Sequence, residues 1–301
     1  MHEPINHSVQ LEGSVEHVAA RAHAKSIEIG CYIAPDLPEQ IVGDAQRLRQ
    51  VLLNIAGNAI TFTAQGSVLL RVEKGSKNDA VTFSIADTGH GIPEDEREAI
   101  FERFVQSSVT ENQASGGTGL GLAISRHLVE LMDGEITVDS EEGQGTTFRF
   151  EIHLPATRRW KKTAGAAKAL SQYTVVLTSP SGATRSVLQD YLSGFGAECI
   201  TAEPLDGLSE TLRELAARPG ARRLVVLLDP VAAKNRDHVF RLADELSELA
   251  SVWILLKPEE RRSYRKLMDD VRIGYLLKPT RRATLLARFA ECPDPMHKPV
   301  A

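Results

Sequence analysis

Hydrophobic residues in the first half of the chain follow two different periods. Between Arg47 and Thr63 they recur at three- and four-residue steps, which predicts an amphipathic helix. The pattern also predicts an earlier helix at Val9–His23 and a strand at Ile27–Ile33. Alternating apolar and polar residues predict further strands at 68–73, 81–86, 135–139 and 146–154. Residues 1–155 are therefore interpreted as one α/β domain with a mixed sheet.

The second half of the chain alternates between predicted strands and predicted helices. Short apolar runs of strand length begin at residues 174, 198, 223, 251 and 274. The helical patterns that follow them are 183–195, 208–217, 236–249, 259–270 and 282–290. Five such units predict a flavodoxin-like (βα)5 doubly wound parallel sheet in residues 173–291. The basic stretch 156–172 is predicted to be a linker, and residues 292–301 to be a tail.

Two further helices are predicted within the first domain. Pro93–Phe104 begins with acidic residues, as the helix dipole favours, and its Phe101 and Phe104 are expected to pack against the core. Gly119–Met132 is predicted to be a longer helix that ends at Asp133-Gly134. The polar stretch between the two helices has no periodicity and is predicted to be a loop.

Polar side chains form a second line along the predicted helix Arg47–Thr63. Gln50, Asn54 and Asn58 stand one turn apart from each other. An amide oxygen is a hard ligand that suits Mg²⁺, and Mg²⁺ usually binds together with phosphates. The alternative is two exposed asparagines on a solvated helix face, and the helix by itself favours that alternative.

Four further segments of the first domain contain residues suited to ligand binding. Asp87–Pro93 closes a strand with a carboxylate, which can accept a hydrogen bond from an exocyclic amine, and with glycines, which let a flat ring approach the backbone. Gly116–Leu122 enters a helix, whose free N–H groups favour phosphate oxygens. A dinucleotide-binding motif and a P-loop are both excluded, because no apolar strand precedes these glycines and no Gly-Lys-Ser/Thr follows them. The other two segments are Ile100–Gln106 and Gly143–Thr147.

The five segments, in this order and at these spacings, resemble the N, G1, F and G2 boxes and the final Gly-Thr turn of sensor histidine kinases. Those kinases belong to the ATPase superfamily that includes gyrase, Hsp90 and MutL, and the F box favours the kinase branch. The resemblance implies the Bergerat ATP-binding fold, a two-layer α/β sandwich, for residues 1–155. It also implies ATP and Mg²⁺ as cofactors and a lid at Val105–Ser115.

The resemblance assigns roles to single residues. Asn54 would hold Mg²⁺, Asn58 would hold metal or phosphate, and Asp87 would accept the adenine amine. Gln50 replaces the Glu of many relatives and would orient groups, since Gln cannot act as a base. Thr146 would support Asp87 through water. The base pocket would include Gly89, Gly91 and Ile92. The phosphate side would include Arg103, Gln106, Gly117, Thr118, Gly119, Leu120 and Gly121.

One position departs from the resembled kinases. Thr61 stands one turn after Asn58, where relatives usually place a Lys that touches phosphate. Losing a charge-assisted contact would weaken nucleotide binding by about 1–3 kcal/mol. A degenerate nucleotide-binding scaffold, whose second domain binds a partner, is therefore the alternative to an active kinase.

The activity that the resemblance implies is the catalytic half of a hybrid sensor histidine kinase. Such a kinase transfers the γ-phosphoryl group of ATP to a histidine on a dimerising helical hairpin, which this chain lacks. His2-Glu3 faintly matches the His-Glu pair of that hairpin, but the histidines near the N-terminus are interpreted as surface residues. The histidine-bearing dimerisation domain is therefore expected upstream or in trans.

The second domain resembles the receiver domain of two-component systems, with Lys278-Pro279 ending its fifth strand. A working receiver has an acidic pair after its first strand, where this chain has Thr178-Ser179-Pro180. The hydroxyl residue after the fourth strand is replaced by Leu256-Lys257. Asp229 lies near the phosphoacceptor position and is interpreted as a structural carboxylate. Because acyl phosphate formation needs the missing metal ligands, the domain is predicted to be a pseudoreceiver that regulates the kinase.

One side of the second domain is rich in arginine. The ordinary interpretation is a docking surface for a kinase or another receiver domain. The sharper interpretation is a site for cyclic di-GMP, because Arg can bind a guanine edge and Tyr can stack on a base. Pseudoreceivers of some hybrid kinases are similar in this respect. The candidate residues are Arg261, Tyr275, Pro279 and Arg281.

Composition limits these interpretations in a few ways. The 301 residues carry a formal net charge of −5, which does not favour a nucleic-acid binder. The cysteines Cys31, Cys199 and Cys292 lack metal-ligand spacing and fit a reducing compartment. No apolar run approaches the length of a membrane span, and no signal-peptide pattern is present. We therefore expect a cytoplasmic chain that contacts neither nucleic acid nor membrane.

Overall fold

The chain divides into two units, Met1–Lys162 and Thr163–Ala301. A computed structural model describes residues 3–38, 40–77, 79–105, 119–155, 168–203, 205, 207–270 and 272–292. Each unit has its own five-stranded sheet. The domain limits predicted at residues 155 and 172 stay predictions.

The first unit contains a mixed sheet and a small additional pair of strands. Its strands are β1 (Glu3–Asn6), β2 (Glu28–Ile33), β3 (Gln40–Gly43), β4 (Ser67–Lys74), β5 (Ala80–Asp87), β6 (Glu135–Glu141) and β7 (Gly145–His153). The main sheet has the order β2-β4-β5-β7-β6, in which only β2 and β4 pair in parallel. The sequence pattern predicted all five of these strands. The antiparallel pair β1 and β3 was not predicted.

Three helices pack on this sheet to form the second layer. They are α1 (His7–Ala24), α2 (Ala45–Phe62) and α3 (Gly121–Glu130), and α2 contacts both of the others. Asp44 caps α2 by accepting a hydrogen bond from the Arg47 N–H at 3.0 Å. The predicted apolar stripe of α2 is confirmed, because each of its residues is buried. They are Leu48, Val51, Leu52, Ile55 and Ala59.

The helix predicted at Pro93–Phe104 is wrong. The structure has two 3-10 turns there instead, Glu94–Glu96 and Ala99–Phe101. The acidic first turn is present, but only the second turn buries apolar side chains, which is too narrow a stripe for a packed α-helix. Phe101 is buried as expected. Phe104 is 74 % exposed, so the expectation that it packs against the core is also wrong.

The helix predicted at Gly119–Met132 is shorter than expected. α3 lacks two residues at each predicted end. Asp133, rather than Gly134, takes the left-handed conformation after the helix, with φ of 55°. The Gly134 N–H then donates to the Val129 carbonyl at 3.0 Å. A left-handed turn therefore follows the helix at the predicted Asp133-Gly134.

The second unit is a doubly wound parallel sheet, as predicted. Its strands are β8 (Tyr173–Thr178), β9 (Glu198–Thr201), β10 (Arg223–Leu228), β11 (Ser251–Leu256) and β12 (Ile273–Leu277). Their order is β9-β8-β10-β11-β12, which is the flavodoxin-like order. Its helices are α4 (Gly182–Gly194), α5 (Leu208–Ala216), α6 (Arg236–Ser247), α7 (Arg265–Met268) and α8 (Arg282–Ala290). None of the helices in the described ranges of the chain is long and apolar enough to cross a membrane.

The continuous helix predicted at Glu259–Asp270 is also wrong. A 3-10 turn at Pro258–Arg262 precedes α7, which is only four residues long. Tyr264 separates them with φ of −107° and ψ of 13°, outside the helical range. Its ring is buried and stacks on Phe240 at a centroid distance of 6.0 Å. The packing of one aromatic side chain thus outweighs the helix propensity of its neighbours.

Candidate functional site

Buried hydroxyl groups hold together the edge of the first sheet at Asp87. Asp87 on β5 lies opposite Thr146 on β7, and Thr146 lies opposite Ser140 on β6. The Ser140 hydroxyl donates to the Gly145 carbonyl at 3.0 Å and lies 2.9 Å from the Thr146 hydroxyl. It also accepts a hydrogen bond from the Ile92 N–H at 2.8 Å. The loop that follows Asp87 is therefore fixed to the last two strands of the sheet.

The Asp87 carboxylate is a half-buried acceptor at this edge. Its Oδ1 accepts a hydrogen bond from the Gly89 N–H at 2.8 Å. Burial raises the pKa of Asp87, while the backbone N–H groups of Gly89 and Thr146 and the nearby His90 act in the opposite direction. Burial is the larger effect, so the carboxylate holds its charge less readily than an exposed aspartate does.

Two glycines let the loop after Asp87 pack closely on its neighbours. A Cβ on Gly89 would lie 2.6 Å from the Phe62 carbonyl oxygen at the end of α2. Gly91 has a φ of 74°, and its Cβ would lie 2.7 Å from the carbonyl carbon of Glu141. Side chains are therefore excluded at both positions by backbone that is already present. The role of Gly89 and Gly91 in shaping a base pocket stays a prediction.

Two rings, those of Phe62 and His90, pack against each other at the loop that follows Asp87. Their centroids are 5.5 Å apart in an edge-to-face arrangement, and His90 Nδ1 lies 2.6 Å from the Gly91 carbonyl oxygen. Phe62 is the last residue of α2 and is only half-buried. Neither ring was predicted from the sequence to be part of the site. The available signal was a large apolar residue at the end of the asparagine helix.

Asn54 joins α2 to the first turns of α3. Its Nδ2 donates to the hydroxyl of the buried Ser125 at 2.8 Å. A Cβ on Gly121 would lie 3.0 Å from both Nδ2 and Cγ of Asn54, so the helix start approaches the carboxamide closely. Because Nδ2 is used, Oδ1 is the Asn54 atom suited to a metal ion. The structure thus brings together one predicted metal ligand and one predicted phosphate-binding glycine.

The other predicted site residues lie around these two points. Asn58 is half-buried on α2, Gln50 is exposed on the same helix, and Arg103 is exposed after the second 3-10 turn. Leu120 is half-buried directly before α3, and Gly119, with φ of 64°, accepts a hydrogen bond from the Phe104 N–H at 3.0 Å. Three predicted residues lie outside the described residues: Gln106, Gly117 and Thr118.

Thr61 and Lys25 lie at the C-terminal end of α2. The Thr61 hydroxyl donates to the Gly57 carbonyl at 2.8 Å, so it is used within the helix. Lys25 Nζ donates to the carbonyls of Ile60 and Thr61 at 3.0 and 2.9 Å. A cation at this end is favourable, because the last carbonyls of a helix carry partial negative charge. The missing Lys at position 61 was noted from the sequence, whereas Lys25, which directly follows α1, was not connected with this end of α2.

In the second unit, Asp229 forms a closed cluster at the C-terminal edge of the sheet. Its side chain is fully buried, and Lys278 Nζ lies 3.2 and 3.1 Å from its two oxygens. The Ser179 hydroxyl donates to Oδ2 at 2.6 Å, and the Val231 N–H donates to Oδ1 at 3.1 Å. Ser179 thus occupies the position at which the sequence analysis noted that the acidic pair of a working receiver is missing.

The arginine-rich side of the second unit is organised around Tyr275. Arg261 Nη2 donates to the Tyr275 hydroxyl at 2.9 Å, with its Cζ 5.2 Å from the ring centroid. The Arg288 Cζ lies 5.3 Å from the same centroid. Pro279 and Arg281 are half-buried at the end of β12 and the start of α8. Arg288 was not among the candidate residues predicted for this side.

Known proteins resemble both the first unit and the chain as a whole. Residues 43–157 match the family of histidine kinase-, DNA gyrase B-, and HSP90-like ATPases. The chain is 40 % identical over 196 residues to the sensor histidine kinase AruS of Pseudomonas aeruginosa, covering 64 % of this chain and 20 % of AruS. It is 29 % identical over 284 residues to the histidine-protein kinase BarA of Escherichia coli, covering 93 % of this chain and 30 % of BarA.

A solved structure extends the resemblance to the fold. The crystal structure of full-length ShkA in complex with AMPPNP matches with a TM-score of 0.80 and 33 % identity, over 98 % of this chain and 58 % of that chain. The chain spans 20 % of AruS and 30 % of BarA, so it corresponds to a part of these relatives. Residues 43–157 therefore belong to the histidine kinase-, DNA gyrase B- and HSP90-like ATPase family, in a chain homologous to hybrid sensor histidine kinases.

Proposed function

We propose that the first unit binds ATP with Mg²⁺ and transfers the γ-phosphoryl group to a histidine on a dimerisation domain, upstream or in trans. The position of α2 carries this proposal. Its last residue, Phe62, packs on the loop after Asp87, whereas Asn54 touches the start of α3. Eight helical residues separate these points by about 12 Å. One extended nucleotide can span that length.

The Asp87 end of α2 suits an adenine base. A carboxylate accepts a hydrogen bond from the exocyclic amine of adenine, whereas guanine presents a carbonyl oxygen at the same ring position. Two acceptors facing each other would repel. Phe62 and His90 add ring surface beside the carboxylate. We therefore expect the site to prefer ATP over GTP.

The Asn54 end of α2 suits the triphosphate. Asn54 Oδ1 would hold Mg²⁺, because Nδ2 already donates to Ser125. The free N–H groups at the start of α3 would bind phosphate oxygens. Bound Mg²⁺ would neutralise part of the charge on the phosphates and so assist transfer.

The chain contributes positioning and charge rather than covalent chemistry to the transfer. A lone pair of the imidazole forms a nitrogen–phosphorus bond while the bond from the γ-phosphorus to the bridging oxygen breaks, and ADP leaves with that electron pair. Asn58 would hold phosphate or metal one turn from Asn54. Gln50, exposed one turn before Asn54, would orient the incoming imidazole.

Calorimetric titration of Mg²⁺·AMP-PNP into the whole chain tests this proposal. We expect saturable binding that depends on Mg²⁺ and falls strongly in Asp87→Asn. A titration without Mg²⁺ is the control for the metal. Absence of binding to the unmutated chain would support the alternative, a degenerate nucleotide-binding scaffold, and would identify Thr61 as a mark of lost function.

The second unit completes the proposal as a pseudoreceiver that regulates the kinase. Support comes from Asp229, whose two oxygens already contact Ser179, Lys278 and the Val231 N–H in a fully buried site. An acceptor carboxylate would have to leave these partners and gain a metal ion. Incubation with acetyl phosphate and Mg²⁺, followed by intact-mass measurement, should give no acyl phosphate. A stable phosphorylated product would contradict this part of the proposal.

The Tyr275 cluster supports cyclic di-GMP as a second candidate for this unit's ligand. Two guanidinium groups near one half-buried aromatic ring can bind guanine edges or phosphates while the ring stacks on a base. Titration with cyclic di-GMP, using Arg261→Ala and Arg281→Ala, tests this candidate. If no binding occurs, or if both variants bind like the parent, a docking surface for a kinase or receiver domain is the better interpretation.

A further inference from the structure

Basic side chains line the seam between α1 and α2. His17 and Arg21 are four residues apart on one side of α1, and Lys25 follows four residues later, directly after the end of the helix. At one end of the seam, Arg49 Nη2 lies 3.0 Å from His17 Nε2. At the other end, Lys25 donates to the last carbonyls of α2. Arg21 occupies the middle of the seam.

Arg21 lies against a glycine on the polar face of α2. Its Nη1 is 3.7 Å from the position that a Cβ on Gly57 would occupy. Glycine inside a helix is less favourable than alanine by about 1 kcal/mol. Gly57 comes three residues after Asn54 and directly before Asn58, so it belongs to the face that carries the asparagines. The guanidinium therefore lies beside the proposed metal and phosphate ligands.

Among the cations of this seam, Arg21 has the most unused hydrogen-bonding capacity near the asparagines. The ammonium of Lys25 is directed to two carbonyls, and the Arg49 guanidinium is paired with His17. Within the described part of the chain, Arg21 has no acidic partner. Thr61 supplies no charge, and its hydroxyl is used by the helix. Arg21 is therefore a cation near Asn58 whose guanidinium remains able to bind a charged ligand.

We propose that Arg21 binds the phosphate groups of the nucleotide and supplies the positive charge that Thr61 lacks. This inference rests on the proposed function of the same site. A guanidinium offers several N–H donors in one plane and can bind two phosphate oxygens at once. Because Gly57 has no side chain, the guanidinium can lie close to the backbone of α2 at this point. The charge that neutralises the triphosphate is thus supplied by a neighbouring helix.

Titration of Mg²⁺·AMP-PNP into the Arg21→Ala chain tests the inference. Loss of a charge-assisted phosphate contact should weaken binding about ten- to hundredfold. Binding of adenosine, followed by chemical-shift titration, should stay unchanged, because adenosine has no phosphate. Arg49→Ala is the matched control, since it removes an arginine from the same seam at its far end, and it should bind AMP-PNP like the parent.

Thr61→Lys provides a rescue. In the Arg21→Ala background it restores a cation one turn from Asn58 and should recover most of the lost affinity. If the double variant does not recover and adenosine binding is also weakened, Arg21 acts through the structure of the unit and the inference is wrong. Circular dichroism establishes that each variant is folded. If Arg21→Ala does not fold, the same AMP-PNP titration is carried out with two other variants. Arg21→Gln removes the charge, and Gly57→Leu fills the space beside the guanidinium. Both should weaken AMP-PNP binding.

The outcomes also separate this inference from the proposed function. If the unmutated chain does not bind AMP-PNP, the proposed function fails and Arg21 has no phosphate to bind. If the unmutated chain and Arg21→Ala bind AMP-PNP equally, the nucleotide site stands and the role given to Arg21 is wrong. A loss that is confined to the phosphate-bearing ligand and reversed by Thr61→Lys supports both.

Discussion

Each unit of this chain has an aspartate at the end of a strand, and the two carboxylates have opposite surroundings. Asp229 is fully buried, and its oxygens contact an ammonium, a hydroxyl and a backbone N–H. Asp87 is half-buried, its neighbours are glycines and rings, and its described bonding partners are backbone N–H groups. The first carboxylate is saturated by its own chain, and the second retains acceptor capacity.

Two carboxylates at strand ends can therefore differ in the acceptor capacity that they have left for a ligand. In a parallel sheet, the C-terminal edge is where ligands usually bind, and Asp229 lies there. Its partners nevertheless come from the chain itself: Ser179 follows the neighbouring strand β8, and Lys278 follows β12, two strands away in the same sheet. What decides the role is the number of acceptor sites that remain after the protein's own donors are counted.

The largest expected effect comes from Lys278→Met. The substitution leaves the Asp229 carboxylate buried without its counter-charge, and breaking a buried ion pair in this way destabilises proteins by about 3–5 kcal/mol. The free energy of unfolding of the second unit should fall by that amount. Urea unfolding followed by the fluorescence of the buried Trp253, in a Trp160→Phe background, measures it.

The double variant Lys278→Met/Asp229→Leu is the control for this measurement. It removes both charges together and should recover much of the lost stability, because no charge remains buried without a partner. AMP-PNP binding by the first unit should be the same in all three chains. A single variant as stable as the parent would show that Asp229 is not held by Lys278, and the contrast with Asp87 would lose its basis.

Asp87→Asn should have the opposite profile, with a large effect on binding and a small one on stability. Removing the carboxylate charge should weaken Mg²⁺·AMP-PNP binding about ten- to hundredfold, since hydrogen bonds to charged acceptors are the stronger ones. Calorimetry measures the affinity, and urea unfolding measures the stability. Asp139→Asn, which changes an exposed aspartate on β6, is the matched control and should alter neither. Equal binding by Asp87→Asn and its control would remove Asp87 from the site.

The regular elements of both units could be predicted because their patterns are local. The stripe of α2 and the alternation along β4 and β5 each report one buried face, and the structure buries those faces. Two helix predictions failed, because in both cases the local sequence favoured a helix but the tertiary packing did not. Pro93–Phe104 begins with favourable acids but has no wide apolar stripe, and Glu259–Asp270 is broken by the burial of Tyr264.

The contacts that make each site could not be predicted from local pattern. Asn54 and Ser125 are 71 residues apart in sequence, and Ser179 and Asp229 are 50 apart. Such pairs depend on how strands and helices are ordered in the sheet, which periodicity does not encode. The motif resemblance placed Asn54 and Asp87 in the site. It could not show that the Ser179 hydroxyl donates directly to Asp229.

A smaller effect is expected from Ser179→Ala. The substitution removes the hydroxyl that donates to Asp229 Oδ2 at 2.6 Å and leaves one acceptor position of a buried carboxylate without its partner. The free energy of unfolding should fall by about 1–2 kcal/mol, less than for Lys278→Met because the ion pair remains. The same Trp253 fluorescence assay measures it. Ser263→Ala, at an exposed serine of the same unit, should have no effect, and equal loss in both variants would argue against a specific bond at Asp229.

The smallest expected effect is a pH dependence of nucleotide binding that originates at Asp87. Burial raises the pKa of this carboxyl, so on acidification it takes up a proton at a higher pH than an ordinary aspartate. Protonation favours folding at this residue: the stability contribution is fully present below the unfolded pKa and is lost as pH rises through the raised native pKa. Binding has the opposite sign, because adenine needs the charged acceptor, so affinity should fall severalfold as pH drops through that raised pKa. The phosphates of AMP-PNP also take up protons as pH falls, but this affects binding to the parent and to Asp87→Asn equally. The difference between their affinity–pH profiles therefore reports Asp87 alone, and parallel profiles would show that the base is recognised by another group.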